Sequence, residues 1–180
     1  MINRLVKIYK LKAGSVLVLA FLLFCSFTTL EEMPKLFKKK ITKEIVSLWG
    51  SEYPLTSLNY DEKKTVEIIN LGIQNISQVG PQNAPLGIVV WAQARSKFEY
   101  FDYAIYYDAN KNIKAVRILQ YREDYGGEIA SKRWLNQFDG LNATSEIAID
   151  HDIQGISGAT ISYKAITIGV RNITQYLNSN

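Results

Sequence analysis

Near its C-terminus the chain reads Gly155-Ile156-Ser157-Gly158-Ala159-Thr160, two hydroxyl residues around a glycine and an alanine. Small residues let a backbone come close to a ligand. The segment sits where a loop gives way to a helical pattern. The unpaired N–H groups and the positive dipole end of a helix start favour a phosphate. Ser157 and Thr160 add hydroxyl groups to that environment. The same string also serves as an ordinary helix N-cap, and the residues alone leave both readings open. His151, between Asp150 and Asp152, has the residue types for acid–base or metal chemistry. A single histidine beside two carboxylates on a short loop reads first as a solvated turn.

Composition narrows the chemistry further. The chain has 180 residues, 47% of them hydrophobic and 12% aromatic, enough for one domain with a real core. One cysteine excludes an internal disulfide and an iron–sulfur cluster, and one histidine excludes a multi-histidine metal site. Four of the 21 basic residues (Arg4, Lys7, Lys10 and Lys12) precede residue 13, so the other 17 balance the 17 acids. The body is therefore neutral, and nucleic acid is not an expected partner.

The basic start leads into an uncharged run from Ala13 to Leu30. This pattern is that of a single transmembrane anchor or a signal segment, and the run is just long enough to span a bilayer. Cys25, preceded by the bulky Phe24, makes a poor lipoprotein box, and no clean cleavage site follows the run. An uncleaved anchor is the favoured reading, with a cleaved signal as the alternative. The expected organisation is an anchor over residues 1–30, an amphipathic helix and linker over 31–60, and a globular domain over 61–180. In the second segment Phe37, Ile41, Ile45 and Leu48 form an apolar stripe at helical spacing. The lysines around that stripe suit either anionic lipid headgroups or a solvated helix face.

Further along, the turn-rich residues 50–62 read as a connection, and Lys64 to Ile73 fits either a helix or a strand. Leu86 to Ala94 and Phe98 to Tyr107 read as strands, with Pro81 to Pro85 as a loop before the first. Asp108 to Asn112 reads as a hairpin turn, and Ile113 to Tyr121 as a strand apolar on both faces. Ser131 to Phe138 reads as a short helix carrying Trp134, and Ala148 to Asp150 as the end of a short strand. Ile161, Ala165, Ile166 or Val170, Ile173 and Leu177 mark a long C-terminal amphipathic helix. The fold class expected is α+β: a twisted, mainly antiparallel sheet with packed helices, plus one N-terminal transmembrane helix.

Ser157-Gly158-Ala159-Thr160-Ile161-Ser162 also resembles the flavinylation motif of FMN-binding domains. Such domains occur in covalent flavoprotein components of the Rnf electron-transport complex and of the sodium-pumping NADH:quinone oxidoreductase. The resemblance extends upstream over roughly residues 85–170. Residues 107–118 resemble the family's strand–turn–strand. Glu123 and Gly126 match the Glu and first Gly of its Glu-Thr-Pro-Gly-Leu-Gly loop. Trp134, Phe138 and Gly140 match its Trp-x-x-x-Phe-x-Gly segment. Two positions depart from the family pattern. Gln154 stands where the family has an Asp that its flavin transferase reads, and the glycine loop here is Glu123-Asp124-Tyr125-Gly126-Gly127-Glu128.

The resemblance implies a flavoprotein that relays electrons through FMN, esterified by its phosphate to Thr160. Ser157, Gly158 and Ala159 would shape the phosphate loop. Glu123, Gly126 and Gly127 would border the flavin, with Tyr125 and Trp134 as aromatic neighbours. A threonine hydroxyl is a weak nucleophile, and the sequence offers no obvious base beside it, which fits attachment by a separate transferase. The expected partners are that transferase, transiently, and the subunits of a membrane redox complex or cytochromes. The expected location is the inner membrane, single-pass, with the soluble domain on the periplasmic side. Such a protein is one component of an oxidoreductase rather than a stand-alone enzyme. Two alternatives stay open: a flavin-free accessory or assembly subunit, and a reductase holding FMN noncovalently.

Overall fold

The computed structural model describes residues 32–179. The anchor or signal segment expected over residues 1–30 lies outside this range. Helix α1 runs Lys35–Trp49, after Pro34, whose carbonyl accepts from the Lys38 N–H. It ends at Gly50, whose left-handed φ of 79° lets its N–H reach the Val46 carbonyl. Phe37, Ile41 and Ile45 are buried and the lysines of the helix are exposed, so the expected stripe packs on the domain.

The segment expected to be a plain connection contains a short strand, β1, Leu55–Ser57. Helix α2, Glu62–Asn70, is capped by the Asp61 carboxylate, which accepts from the Lys64 N–H at 2.9 Å. Lys64 to Ile73 thus holds most of a helix, a turn at Gly72 and the first residue of strand β2, Ile73–Val79. Strands β3 (Gly87–Arg95), β4 (Tyr100–Asp108) and β5 (Ile113–Gln120) follow. Short 3-10 turns at Gly127–Ala130 and Asn136–Phe138 flank the four-residue helix α3, Lys132–Leu135. Helix α4, Thr160–Ser179, closes the described chain.

The five strands form one antiparallel meander in the order β1-β2-β3-β4-β5. The hairpin between β4 and β5 turns where Asp108 accepts the N–H groups of Asn110 and Asn112 at 2.8 and 2.9 Å. Side chains alternate between two cores, as a pleated sheet requires. Val89, Trp91, Ala104, Tyr106, Ala115 and Leu119 face α1, where the Phe37 and Trp91 rings meet edge to face at 5.4 Å. Val90, Ala92, Tyr103, Ile105, Tyr107 and Val116 face the other way, toward α2 and α4. The fold is therefore α+β, a sheet covered by helices on both faces. Among the described residues no helix is long and apolar enough to cross a membrane.

The free edge of β5 is blunted rather than left open. Arg117 donates to the Val116 carbonyl at 2.8 Å, the Lys40 ammonium donates to the Leu119 carbonyl, and Ile113 pairs with Gly140 and Leu141. Two expectations need correction. Ala148 to Asp150 is a turn with a single bridge, Ile149 to Ile153, because Ile153 donates back to the Ala148 carbonyl. In α4 the buried line is Ser162, Ile166, Val170, Ile173 and Leu177, while Ile161 is 49% exposed and Ala165 half-buried. The first turn of α4 is turned toward the site described next.

Candidate functional site

Three chain segments meet at one end of the sheet: the β3–β4 turn, the loop after β5, and the start of α4. Between them lies a cavity of about 250 Å3. Its walls include Lys97, Glu123, Tyr125, Gly126, Gly158 and Thr160, with Ala159, Ile161 and Ser162 from the first turn of α4.

Beneath it, three hydroxyls fasten the segments together. Ser96 and Ser162 are 2.7 Å apart, Ser162 and Tyr121 2.9 Å, and Ser96 and Tyr121 3.2 Å. The Tyr121 hydroxyl also lies 2.8 Å from the Tyr125 carbonyl, to which it donates. Ser96 and Ser162 are buried, so each hydroxyl needs these partners. Gly126 passes directly over this cluster with φ of 85°. A Cβ placed there would stand 2.6 Å from the Tyr121 oxygen. Only glycine fits both the backbone angle and the contact.

Glu123 accepts the N–H groups of Phe98 and Glu99 at 2.7 and 2.9 Å. These backbone donors, Glu99 first and then Phe98, hold its carboxyl below the usual carboxylate range. Its role in this fold is to tie the β3–β4 turn to the loop after β5. Tyr125 is 86% exposed and stands at the lip with Phe98, which is 70% exposed and has the Lys97 ammonium 4.9 Å above its ring.

Thr160 is exposed and is the first residue of α4. Tyr163 donates its N–H to the Ala159 carbonyl, so the N–H groups before it have no partner within the helix. Gly158 takes φ of 86° and turns the chain into the helix. Ala159 is buried beneath this turn. The Glu128 carboxylate lies beside Gly158, where a Cβ would meet it at 3.5 Å.

Of the residues expected from sequence, the fold brings Glu123, Tyr125, Gly126, Gly158, Ala159 and Thr160 to one cavity. Ser157, Gly127 and Trp134 do not line it. Ser157 is exposed on the preceding turn, and Gly127 opens a 3-10 turn leading away. Trp134 is buried and donates from Nε1 to the Gln154 carbonyl at 2.8 Å, while Gln137 accepts the Gln154 N–H. Trp134 therefore anchors the loop that leads to Thr160. Ser96, Lys97 and Tyr121 also line the cavity with no mark in the sequence, as do Ile161 and Ser162 at the end of the flavinylation-like motif. His151 lies elsewhere, exposed, 3.2 Å from both Glu146 and Asp152.

These residues suit a flavin phosphate. The exposed hydroxyl, the free first-turn N–H groups and the bare Gly158 backbone face the same space, with Lys97 on its wall. The family model of the FMN-binding domain matches residues 100–175, which run from β4 through the loop and into α4. That match supports an FMN-binding domain in this segment, with FMN as the cofactor. No curated protein matches the chain.

Proposed function

We propose that this protein is a membrane-anchored flavoprotein that relays electrons through FMN joined as a phosphoester to Thr160. The observation that carries this reading is the position of Thr160. It is exposed, it begins α4, and it lines the cavity within the segment matched by the FMN-binding domain.

The chain's own groups explain why a second enzyme would make the bond. Glu123, the carboxylate on the cavity wall, is occupied by two backbone N–H groups. His151 is held among Glu146 and Asp152 on another loop. Neither is a base placed at Thr160. The transferase would cleave the pyrophosphate of FAD, form the new P–O bond to Thr160 Oγ, take up the hydroxyl proton and release AMP. Held there, FMN supplies one- and two-electron redox chemistry. The protein orients the phosphate with first-turn N–H groups and fixes the surrounding loops through the Ser96–Tyr121–Ser162 cluster. The basic start and apolar run of residues 1–30 would tether the domain to the inner membrane, on its periplasmic side. The electron partners would be subunits of a membrane redox complex or cytochromes.

Gln154 supports a second reading, in which FMN is held noncovalently or the domain is a flavin-free accessory subunit. Its backbone is fixed by Trp134 and Gln137, and its side chain replaces the Asp of the family motif. Flavin fluorescence in a denaturing gel separates these readings, using protein coexpressed with a flavin transferase beside a Thr160→Val variant. A fluorescent band that the variant lacks supports the phosphoester. A dark band from yellow native protein supports noncovalent FMN, and colourless protein supports the accessory role.

A further inference from the structure

Two buried tyrosine hydroxyls among the described residues lack a hydrogen-bond partner for different reasons. That of Tyr103 is sealed against Gly169 of α4, where a Cβ would stand 2.3 Å away. Tyr106 is instead a wall residue of a cleft of about 290 Å3 at the β5 edge, between α1 and the α3 segment, and its hydroxyl is buried behind that wall. The cleft wall holds Lys40, Lys43, Arg117 and Lys132 against one carboxylate, Glu44. Glu44 is matched by Arg117 at 2.7 Å. The Lys40 ammonium gives one hydrogen to the Leu119 carbonyl and keeps two. Lys43 and Lys132 have no carboxylate partner among the described residues. Burial, then the nearby Glu44, pushes the Tyr106 hydroxyl upward in pKa, so it remains a neutral donor. A buried donor without a partner is costly unless something accepts from it. Here the surrounding surplus of positive charge favours an anionic acceptor.

We propose that the cleft between α1, β5 and α3 is an anion site that takes a phosphate group, with the Tyr106 hydroxyl donating at its floor and Lys43 and Lys132 at its rim. This site lies apart from the cavity at Thr160, and the two share no lining residue. A phosphate group can arrive free in solution or on an anionic lipid. The uncharged run Ala13–Leu30 ends just before α1, which gives the lipid source a route.

The test uses the full chain and reads the melting temperature. One arm adds inorganic phosphate to detergent-solubilised protein against chloride of equal ionic strength. The other compares nanodiscs of phosphatidylglycerol with nanodiscs of phosphatidylcholine. At ten times the Kd, a bound ligand raises Tm by about 3–6 °C for a domain of this size. Tyr106→Phe keeps the ring and removes only the donor, and Lys43→Gln/Lys132→Gln changes only side chains at the rim. A phosphate-specific rise lost in these variants supports a site for the free anion. A rise confined to phosphatidylglycerol and lost in them supports a lipid headgroup. No rise in either arm overturns the proposal, as does a rise that persists in a folded variant.

Discussion

Gly126→Ala is the sharpest test of how the cavity is held together. The methyl group would stand 2.6 Å from the Tyr121 oxygen, and the backbone would keep φ of 85°. A left-handed angle on a residue with a Cβ costs about 1–2 kcal/mol. The Tyr121 hydroxyl cannot simply swing away, because Ser162, the Tyr125 carbonyl and Ser96 hold it at 2.9, 2.8 and 3.2 Å. Breaking these contacts adds about 1–2 kcal/mol, at about 1 kcal/mol for a typical net hydrogen bond. The total is roughly 2–4 kcal/mol, a fall of roughly 4–16 °C in Tm at this chain length. The assay is thermal unfolding of Gly126→Ala, Tyr121→Phe and the double variant. Removing the Tyr121 oxygen removes the clash, so the double variant should be more stable than the two single effects added, by about 1–2 kcal/mol. Strict additivity, or a loss below about 0.5 kcal/mol for Gly126→Ala, the level of an ordinary surface change, would refute the reasoning.

Three other outcomes follow from the same geometry. The buried Asp102 carboxylate accepts from Trp91 and Gln93 at 2.9 Å and pairs with Arg122 at 2.5 Å. Asp102→Asn should therefore lower stability by about 1–3 kcal/mol in urea unfolding, a discount on a fully buried pair because Arg122 is partly exposed. Glu123 titrates below its usual value once folded, so its tether is intact above the ordinary carboxylate range and is lost as pH falls through the lowered value. Amide exchange at Phe98 and Glu99 should accelerate there, and Glu123→Gln should abolish that pH dependence. Trp134→Phe removes the donor to the Gln154 carbonyl. It should cost about 1 kcal/mol and speed exchange across residues 154–159.

The residues that were legible in the sequence owe it to local causes. β3, β4 and β5 showed themselves as apolar runs, the last two separated by Asp108–Asn112, whose turn chemistry is local. β2 did not, because its interior carries polar residues. Ser77 donates to Asn75 at 2.7 Å, Asn75 donates to Ser57 across the strands, and a register shift between Ile73 and Asn75 breaks the alternation. α2 was ambiguous because one short apolar stretch crosses from helix into strand. In the site, the small residues before Thr160 announced the turn at Gly158, with φ of 86°, that leads into α4. Ser96 and Tyr121 carried no such mark, since they reach Ser162 only after the sheet brings distant segments together. Ile161 has the helical spacing of a core residue yet stands on the cavity wall, because the first turn of α4 faces the site rather than the sheet.

The proposed flavin linkage is tested most directly by peptide mass spectrometry. The chain is coexpressed with a flavin transferase that is shown to modify a control substrate. The peptide carrying Thr160 is then fragmented. FMN borne on Thr160 itself is the predicted result. An unmodified Thr160 peptide, or FMN on Ser157 or Ser162 instead, would contradict the account.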